Sequence, residues 1–356
     1  MHDGYIFAYT IKMMKALLLE KYNQLVYKDV PDPELAPDEV LVKVKACGIC
    51  GSDIHGFDGS TGRRIPPLIM GHEASGVIAK TGAEVKNWKT GDRVTFDSTV
   101  YRLDDWYTLR GLYNLSDNRE VLGVSPGAYR RNGAFAEYVA IPGHILYKIP
   151  ENVSFEQAAM VEAVAVALHS INISCIQSGN ACVVVGTGTI GIFIIKLLKI
   201  SGASSIIAVD INEKQLEKAE KAGADYAFLI GEDDVCGRIK SLTSNRGTDI
   251  AFEAAGKSQS VNTAIESIRK GGKVVLVGNI SPVIDFPLQK VVTGEIKVFG
   301  SCAICGEYET VLNYLKMGKI NVDDQIAAVV PLSEGAAWFE KLYRNKGETG
   351  KVILVP

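Results

Sequence analysis

The chain has 356 residues, 47% of them hydrophobic and 22% charged, and carries a formal net charge of −3. Such a composition describes an ordinary globular chain, long enough for two or three domains. Its mild acidity gives no reason to expect nucleic acid or an anionic membrane as partner, and Lys196 and Lys199 break the longest apolar run before it reaches membrane-spanning length.

Residues 5–11 are apolar but few, and they follow Asp3 rather than a basic cluster, so a signal peptide is not expected. Residues 14–150 read mostly as β. Strands are expected at 40–46, 76–78, 93–96 and 135–140, separated by turn signals such as Pro31-Asp32-Pro33, Thr81-Gly82 and Gly91-Asp92. Residues 156–300 change character. Strands at 181–185, 205–209, 226–230, 249–253 and 273–277 alternate with amphipathic helices at 189–201, 212–222 and 258–270. This alternation predicts an α/β unit built on a doubly wound parallel sheet, with 298–299 as its last strand. Residues 301–356 carry helices at 308–317 and 334–343 and a strand at 352–355. The seven cysteines are Cys47, Cys50, Cys175, Cys182, Cys236, Cys302 and Cys305. An odd count in a long chain argues for a reducing cytoplasm rather than a disulfide scaffold.

The most informative motif opens the α/β unit. The apolar run Val183-Val184-Val185 leads into Gly186-Thr187-Gly188-Thr189-Ile190-Gly191, which leads into a helical pattern. Gly186 allows the tight turn, Gly188 lets a pyrophosphate approach the backbone, and Gly191 lets helix and strand pack closely. The N–H groups of Thr189 and Ile190 open the helix, where the dipole favours phosphate. Asp210 ends the next strand, 19 residues after Gly191. Its carboxylate suits the adenine-ribose hydroxyls and repels a 2′-phosphate, so the cofactor expected is NAD.

A second constellation has metal-ligand chemistry. Gly48-Ile49-Cys50-Gly51-Ser52-Asp53-Ile54-His55 follows the first β region, His72-Glu73 lies 22 residues beyond Cys50, and Glu162 precedes the nucleotide unit. A thiolate, an imidazole and a carboxylate suit Zn²⁺. With Cys50 and Glu162 each negative and His72 neutral, the site would be neutral with one position left open. Cys47-x-x-Cys50 and Cys302-x-x-Cys305 also leave room for a zinc ribbon or a redox pair. Cys47 reads as packing on its strand, and His144 and His169 read as core or surface histidines.

Taken together, G-I-C-G-S-D, G-H-E, the helix glutamate and V-x-G-x-G-x-x-G resemble a zinc-dependent medium-chain dehydrogenase, in its polyol (sorbitol-, butanediol- and threonine-dehydrogenase-like) branch. The resemblance runs from about Met14 to Pro356. It implies a GroES-like catalytic domain at 14–155, a Rossmann domain at 156–300 and a C-terminal segment, 301–356, that returns to the catalytic domain. It further implies Cys50, His72 and Glu162 as catalytic zinc ligands, with Glu73 in or next to the ligand set. Ser52 would relay a proton through the cofactor ribose towards His55, Asp53 would orient a zinc ligand, and Cys302 would form part of the wall near the nicotinamide. The family associates through the edge of its Rossmann sheet. Val283, Ile284, Phe286, Val291 and Val292 fall there, so a homodimer or a tetramer of dimers is expected.

The chain departs from the family pattern in two places. The four cysteines of the structural-zinc lobe are replaced by Arg102, Asp105, Thr108 and Ser116. One catalytic zinc and no structural zinc are therefore expected. An Arg102–Asp105 contact and packing of Trp106, Tyr107 and Tyr113 would hold the lobe. Where sorbitol dehydrogenases have an arginine and an aromatic, this chain has Ser301-Cys302. The substrate is thus left among a sugar alcohol, its phosphate and a cyclitol, and the arginine pairs Arg63-Arg64 and Arg130-Arg131 are candidates for an anionic group. Two other readings remain open. One is a metal-free quinone or enone reductase of the same superfamily, against which Cys50, His72 and Glu162 argue. The other is a nucleotide-binding protein without turnover.

Overall fold

The structure, a computed structural model, describes residues 12–125, 129–231, 234–345 and 350–356. The apolar stretch at 5–11 lies outside the described residues.

Six parallel strands run in the order Tyr226–Leu229, Ser205–Asp210, Ala181–Val185, Thr248–Glu253, Ile268–Leu276, Lys297–Gly300. The chain enters at Ala181–Val185, builds outward to one side, then crosses to Thr248–Glu253 and builds outward to the other. This is the Rossmann order, with its crevice where the direction reverses. Strand alternation decides the packing. Cys182, Val184, Ile206 and Ala208 enter one core with the helices Val161–Ser174 and Thr189–Ile200. Val183, Val185, Ile207 and Val209 enter the other. Both faces are covered, which is why these strands are apolar at nearly every position.

The second large sheet is mostly antiparallel. Its order is Leu146–Lys148, Arg93–Phe96, Glu73–Thr81, Glu39–Gly48, Lys351–Val355, Ile326–Pro331, with Tyr138–Pro142 also paired to Glu39–Gly48. The last strand of the chain therefore lies against the segment that leads to Cys50, with Ile353 opposite Gly48 and Leu354 opposite Cys47. A smaller sheet of Gln24–Pro31, Met13–Lys21 and Leu68–Ile69 closes the same core.

Several elements depart from expectation. The helix expected at 258–270 ends at Ser267, because Ile268 and the residues after it join the parallel sheet beside Thr248–Glu253. The strand expected at 135–140 starts at Tyr138. Met13–Lys21, Gln24–Pro31 and Ile326–Pro331 are strands that no clean alternation announced.

In the cysteine-free lobe, Arg102 pairs with Asp104 at 2.8 Å and not with Asp105. Asp105 instead accepts the N–H groups of Tyr107 and Thr108, an Asx-type turn that occupies its carboxylate locally. Trp106 stands edge-on to Tyr107 and stacks under Arg110 at 3.8 Å. The lobe is pinned from outside. Tyr113 stacks on Tyr101, donates to Asp97 at 3.1 Å and accepts the Gly306 N–H at 2.7 Å. Cys305 Sγ donates to Gly111 O, and Asn114 donates to Cys302 O. Contacts with 302–306 thus tie the lobe down where the cysteine positions hold no thiolate.

Burial pushes the Asp97 carboxyl up to about 6. The native protein then holds a proton there that the unfolded chain releases near pH 4, so this group's contribution to stability declines as pH rises from about 4 to about 6. Asp97→Asn should flatten that slope in denaturant unfolding measured across this window; an unchanged slope would contradict the assignment.

Candidate metal and cofactor site

Cys50 sits at the N-cap of the short helix Gly51–Gly56, which carries Ser52, Asp53 and His55. His72 and Glu73 lie where Glu73–Thr81 begins. Gly71 gives this pair its approach. Its φ is +94°, and a Cβ there would lie 2.9 Å from Cys47 Sγ and closer still to Phe135, so only glycine fits. The result is a compact set: ligand atoms of Cys50, His72 and Glu73 all lie within 4.8 Å of one another. Glu162, in the first turn of Val161–Ser174, is outside that set. It is still close enough that the charges of His72, Glu73 and Lys351 act on it, and burial pushes its carboxyl up to about 7.

Asp53 is fully buried. Burial alone would raise its carboxyl; the charges of His72 and Arg64 outweigh that and hold it well below the usual range. Arg64 donates to Asp53 at 2.9 Å and to Ser52 Oγ at 3.1 Å, and Asp53 Oδ1 faces His72 Nδ1 at 3.5 Å. Burial works against the His72 imidazolium, yet the negative charges of Asp53 and Cys50 raise it well above its ordinary value. A cation between Cys50 and His72 would take that proton's place. Glu73 is gripped by Lys351 Nζ at 2.7 and 2.6 Å on its two oxygens, 278 positions away in sequence. Gly48 makes room for this pair, since a Cβ there would lie 2.5 Å from Glu73 Oε2. A thiolate, an imidazole and a carboxylate, mutually close, with Asp53 facing the imidazole and Lys351 on the carboxylate, fit zinc with bonds of about 2.0–2.3 Å.

The cofactor cradle lies at the end of Ala181–Val185. Gly186 has φ +93°, and a Cβ on Gly191 would fall 2.0 Å from Gly186 O. A Cβ on Gly188 would meet nothing, which leaves the backbone open to a phosphate. Gly188 caps Thr189–Ile200, so the N–H groups of Thr189 and Ile190 have no helical acceptor. Asp210 Oδ2 accepts from Thr187 N at 2.6 Å and Thr187 Oγ1 at 3.0 Å, and Oδ1 accepts from Asn212 N at 3.0 Å. These bonds fix the carboxylate at the mouth of the glycine turn, with lone pairs left for ribose hydroxyls.

Sequence reasoning missed two positions at the metal end. Lys351 is the lone charge on an apolar strand, K-V-I-L-V, a pattern that signals a buried partner. Arg64 looked like half of a surface pair, but it is 3% exposed and committed to Asp53. Arg131 is likewise committed, to Glu39 and Glu120. Neither of these two is free for an anion. His169 bonds Glu307 at 2.9 Å, and His144 approaches Tyr101 O at 3.1 Å; both are structural contacts.

The family description "Alcohol dehydrogenase GroES-like domain" matches residues 36–151, and "Zinc-binding dehydrogenase" matches residues 189–317. Sorbitol dehydrogenase of Bacillus subtilis (strain 168) is 32% identical over 348 residues, covering 96% of this chain and 97% of that protein. Among solved structures, galactitol-1-phosphate dehydrogenase from Escherichia coli superposes with TM-score 0.89 at 27% identity, covering 96% of this chain and 100% of the other. A candidate zinc-binding dehydrogenase from Sinorhizobium meliloti 1021, bound to NADP, superposes with TM-score 0.87 at 28% identity, covering 97% and 100%. The chain belongs to the zinc-dependent medium-chain dehydrogenase family, in its polyol branch. It is an alcohol dehydrogenase with a GroES-like domain and a Rossmann sheet.

The Lys351–Glu73 pair yields a direct test. Lys351→Met should cost about 3–5 kcal/mol, because it leaves a buried carboxylate without its cation. Glu73→Gln in the same chain should recover a substantial part of that loss. Urea unfolding of the single and double variants measures both; a loss below about 1 kcal/mol in Lys351→Met would show that the pair is not buried.

Proposed function

We infer that the chain is an NAD-preferring polyol dehydrogenase whose catalytic zinc is held by Cys50, His72 and Glu73, with Glu162 beside the open position. One observation carries the reading: the close thiolate–imidazole–carboxylate set, backed by Asp53 and Lys351, in a chain that also bears the dinucleotide turn. When bound, zinc supplies a Lewis acid for the substrate hydroxyl, and the nicotinamide accepts a hydride. Ser52 and His55 stand three residues apart on one short helix, hence on neighbouring positions of its surface, and both are exposed. Ser52 Oγ, which accepts from Arg64, passes the hydroxyl proton outward to His55 at the solvent edge. Asp53 fixes the His72 ring, and Lys351 aims Glu73.

The NAD preference rests on Asp210. Its carboxylate meets the 2′-position, and Ile211 and Asn212 beside it offer no cation. Seven free cysteines are consistent with a cytoplasmic enzyme. No helix among the described residues is long and apolar enough to cross a membrane.

Assembly follows from the sheet edge. Lys297–Gly300 is an edge strand, and near it Val283 is 84%, Leu288 64% and Val292 65% exposed. Ile284 and Val291, also expected at the interface, pack against the core instead. A homodimer, or a tetramer of such dimers, covers the exposed set.

Purified enzyme should contain about one zinc per chain. Cys50→Ala and His72→Ala should lose that zinc and NAD⁺ reduction with polyols while keeping a native circular dichroism spectrum; retained turnover in either would overturn the site. Asp210→Ala should narrow the NAD over NADP preference in kcat/KM, and an unaltered enzyme that uses both equally would remove the argument. Val283→Glu should reduce the mass seen by light scattering without unfolding the chain, whereas Ile284→Glu should destabilise the fold.

A further inference from the structure

Arg119 is half-buried, and its guanidinium reaches only weak acceptors: Ser116 O at 3.4 Å and Cys302 Sγ at 3.7 Å. Among the described residues no carboxylate pairs with it, while Arg64 and Arg131 nearby are fully committed to Asp53, Glu39 and Glu120. A guanidinium has five donors in a fixed fork and is matched by a phosphate bidentately. Holding one half-buried with no anion is unfavourable unless an anion arrives with the ligand.

The position says which ligand. Cys302 follows the carboxyl end of Lys297–Gly300, the edge where ligands of such sheets bind. That strand is three places from Ala181–Val185 in the sheet, about 14 Å at the usual strand spacing. Arg119 is therefore too far from the Gly186–Gly191 turn to serve the cofactor pyrophosphate bound there. Half-buried Tyr129 is within reach of the charges of Glu120, Arg119 and Arg64, the last bonded to Ser52 and Asp53, so Arg119 shares a neighbour with the residues behind the metal set. Among the described residues Arg63 and Arg130 have no carboxylate partner either. The Arg63 carbonyl accepts from Ser125 N, and Arg130 donates to Pro66 O, so both belong to the loops that pack together beside Tyr129.

We propose that the substrate is a phosphorylated sugar alcohol, with its reacting hydroxyl at the Cys50–His72–Glu73 end and its phosphate on Arg119. This inference rests on the dehydrogenase reading above and adds the substrate class and the residue that selects it. The phosphate takes no part in the chemistry. It anchors the chain of carbons, and Arg119 sets specificity through KM.

The test uses the zinc-loaded enzyme with galactitol and galactitol 1-phosphate, and sorbitol and sorbitol 6-phosphate, in wild type, Arg119→Gln and Arg119→Lys. Calorimetry measures binding of each compound, and of inorganic phosphate, without requiring turnover. The wild type should bind the phosphates at least tenfold more tightly than the parent alditols. Arg119→Gln should lose roughly 10- to 100-fold of that affinity, Arg119→Lys should keep part of it, and NAD⁺ binding should be unchanged in both. In turnover the same loss should fall on KM for the phosphate and exceed any change in kcat/KM for an unphosphorylated alditol at least tenfold. Equal wild-type affinity for phosphates and alditols, or phosphate affinity untouched in Arg119→Gln, would overturn the proposal. Absence of NADH formation with every alcohol would defeat the dehydrogenase reading alone, because the calorimetric comparison still decides the role of Arg119.

Discussion

The site depends on a balance of buried charge. Cys50 as thiolate, Asp53, Glu73 and Glu162 bring four acidic groups to one place, and Arg64 and Lys351 bring two permanent cations. Two positive charges are missing, the charge of one divalent ion. The negative charges of Asp53 and Cys50 outweigh burial and raise His72, while Glu162 is raised mainly by its burial. One divalent ion would close that balance, and each part of the fold supplies a share of the residues that stand round the place. The N-terminal sheet gives Cys50, His72 and Glu73, the helix Val161–Ser174 gives Glu162, and the final strand gives Lys351.

That final strand explains why the two sheets cannot be considered apart. The chain leaves the first sheet, builds the whole parallel sheet, and returns to lay Lys351–Val355 against Glu39–Gly48. The ion pair it makes with Glu73 spans 278 positions and ties the metal seat to completion of the fold. The segment between the sheets adds a second tie. Glu307 holds His169 and Asn172, and Gly306 and Cys305 hold the lobe at Tyr113 and Gly111. The 302–306 segment therefore anchors the cysteine-free lobe.

Much of this was legible in the sequence where the chemistry is local. Gly186, Gly188, Gly191 and Asp210 stand at spacings that backbone geometry dictates, and the structure places them at a glycine turn with the carboxylate beside it. The strands of the parallel sheet were legible because burial on both faces leaves continuous apolar runs. Long-range pairing was not. Nothing near Arg64 or Lys351 in sequence reveals Asp53 or Glu73 as partner, and an arginine doublet looks the same whether solvated or buried. Asp104 and Asp105 are adjacent acids near Arg102, and only the turn at Tyr107 decides which one is free to pair. Ile284 and Val291 were assigned to an outer face that their packing against the core does not support. Glu73 was equally ambiguous beside His72, since a carboxylate next to a ligand can bind the ion or support it.

The central claim is the identity of the donors, and X-ray absorption at the zinc edge measures it directly. With one zinc per chain, the spectrum should contain a single sulfur at about 2.3 Å and nitrogen or oxygen neighbours at about 2.0–2.2 Å. The sulfur shell should vanish in Cys50→Ser. Two or more sulfur neighbours, or a sulfur shell that survives Cys50→Ser, would mean that the ion is held elsewhere and that the Cys50–His72–Glu73 seat does not bind it.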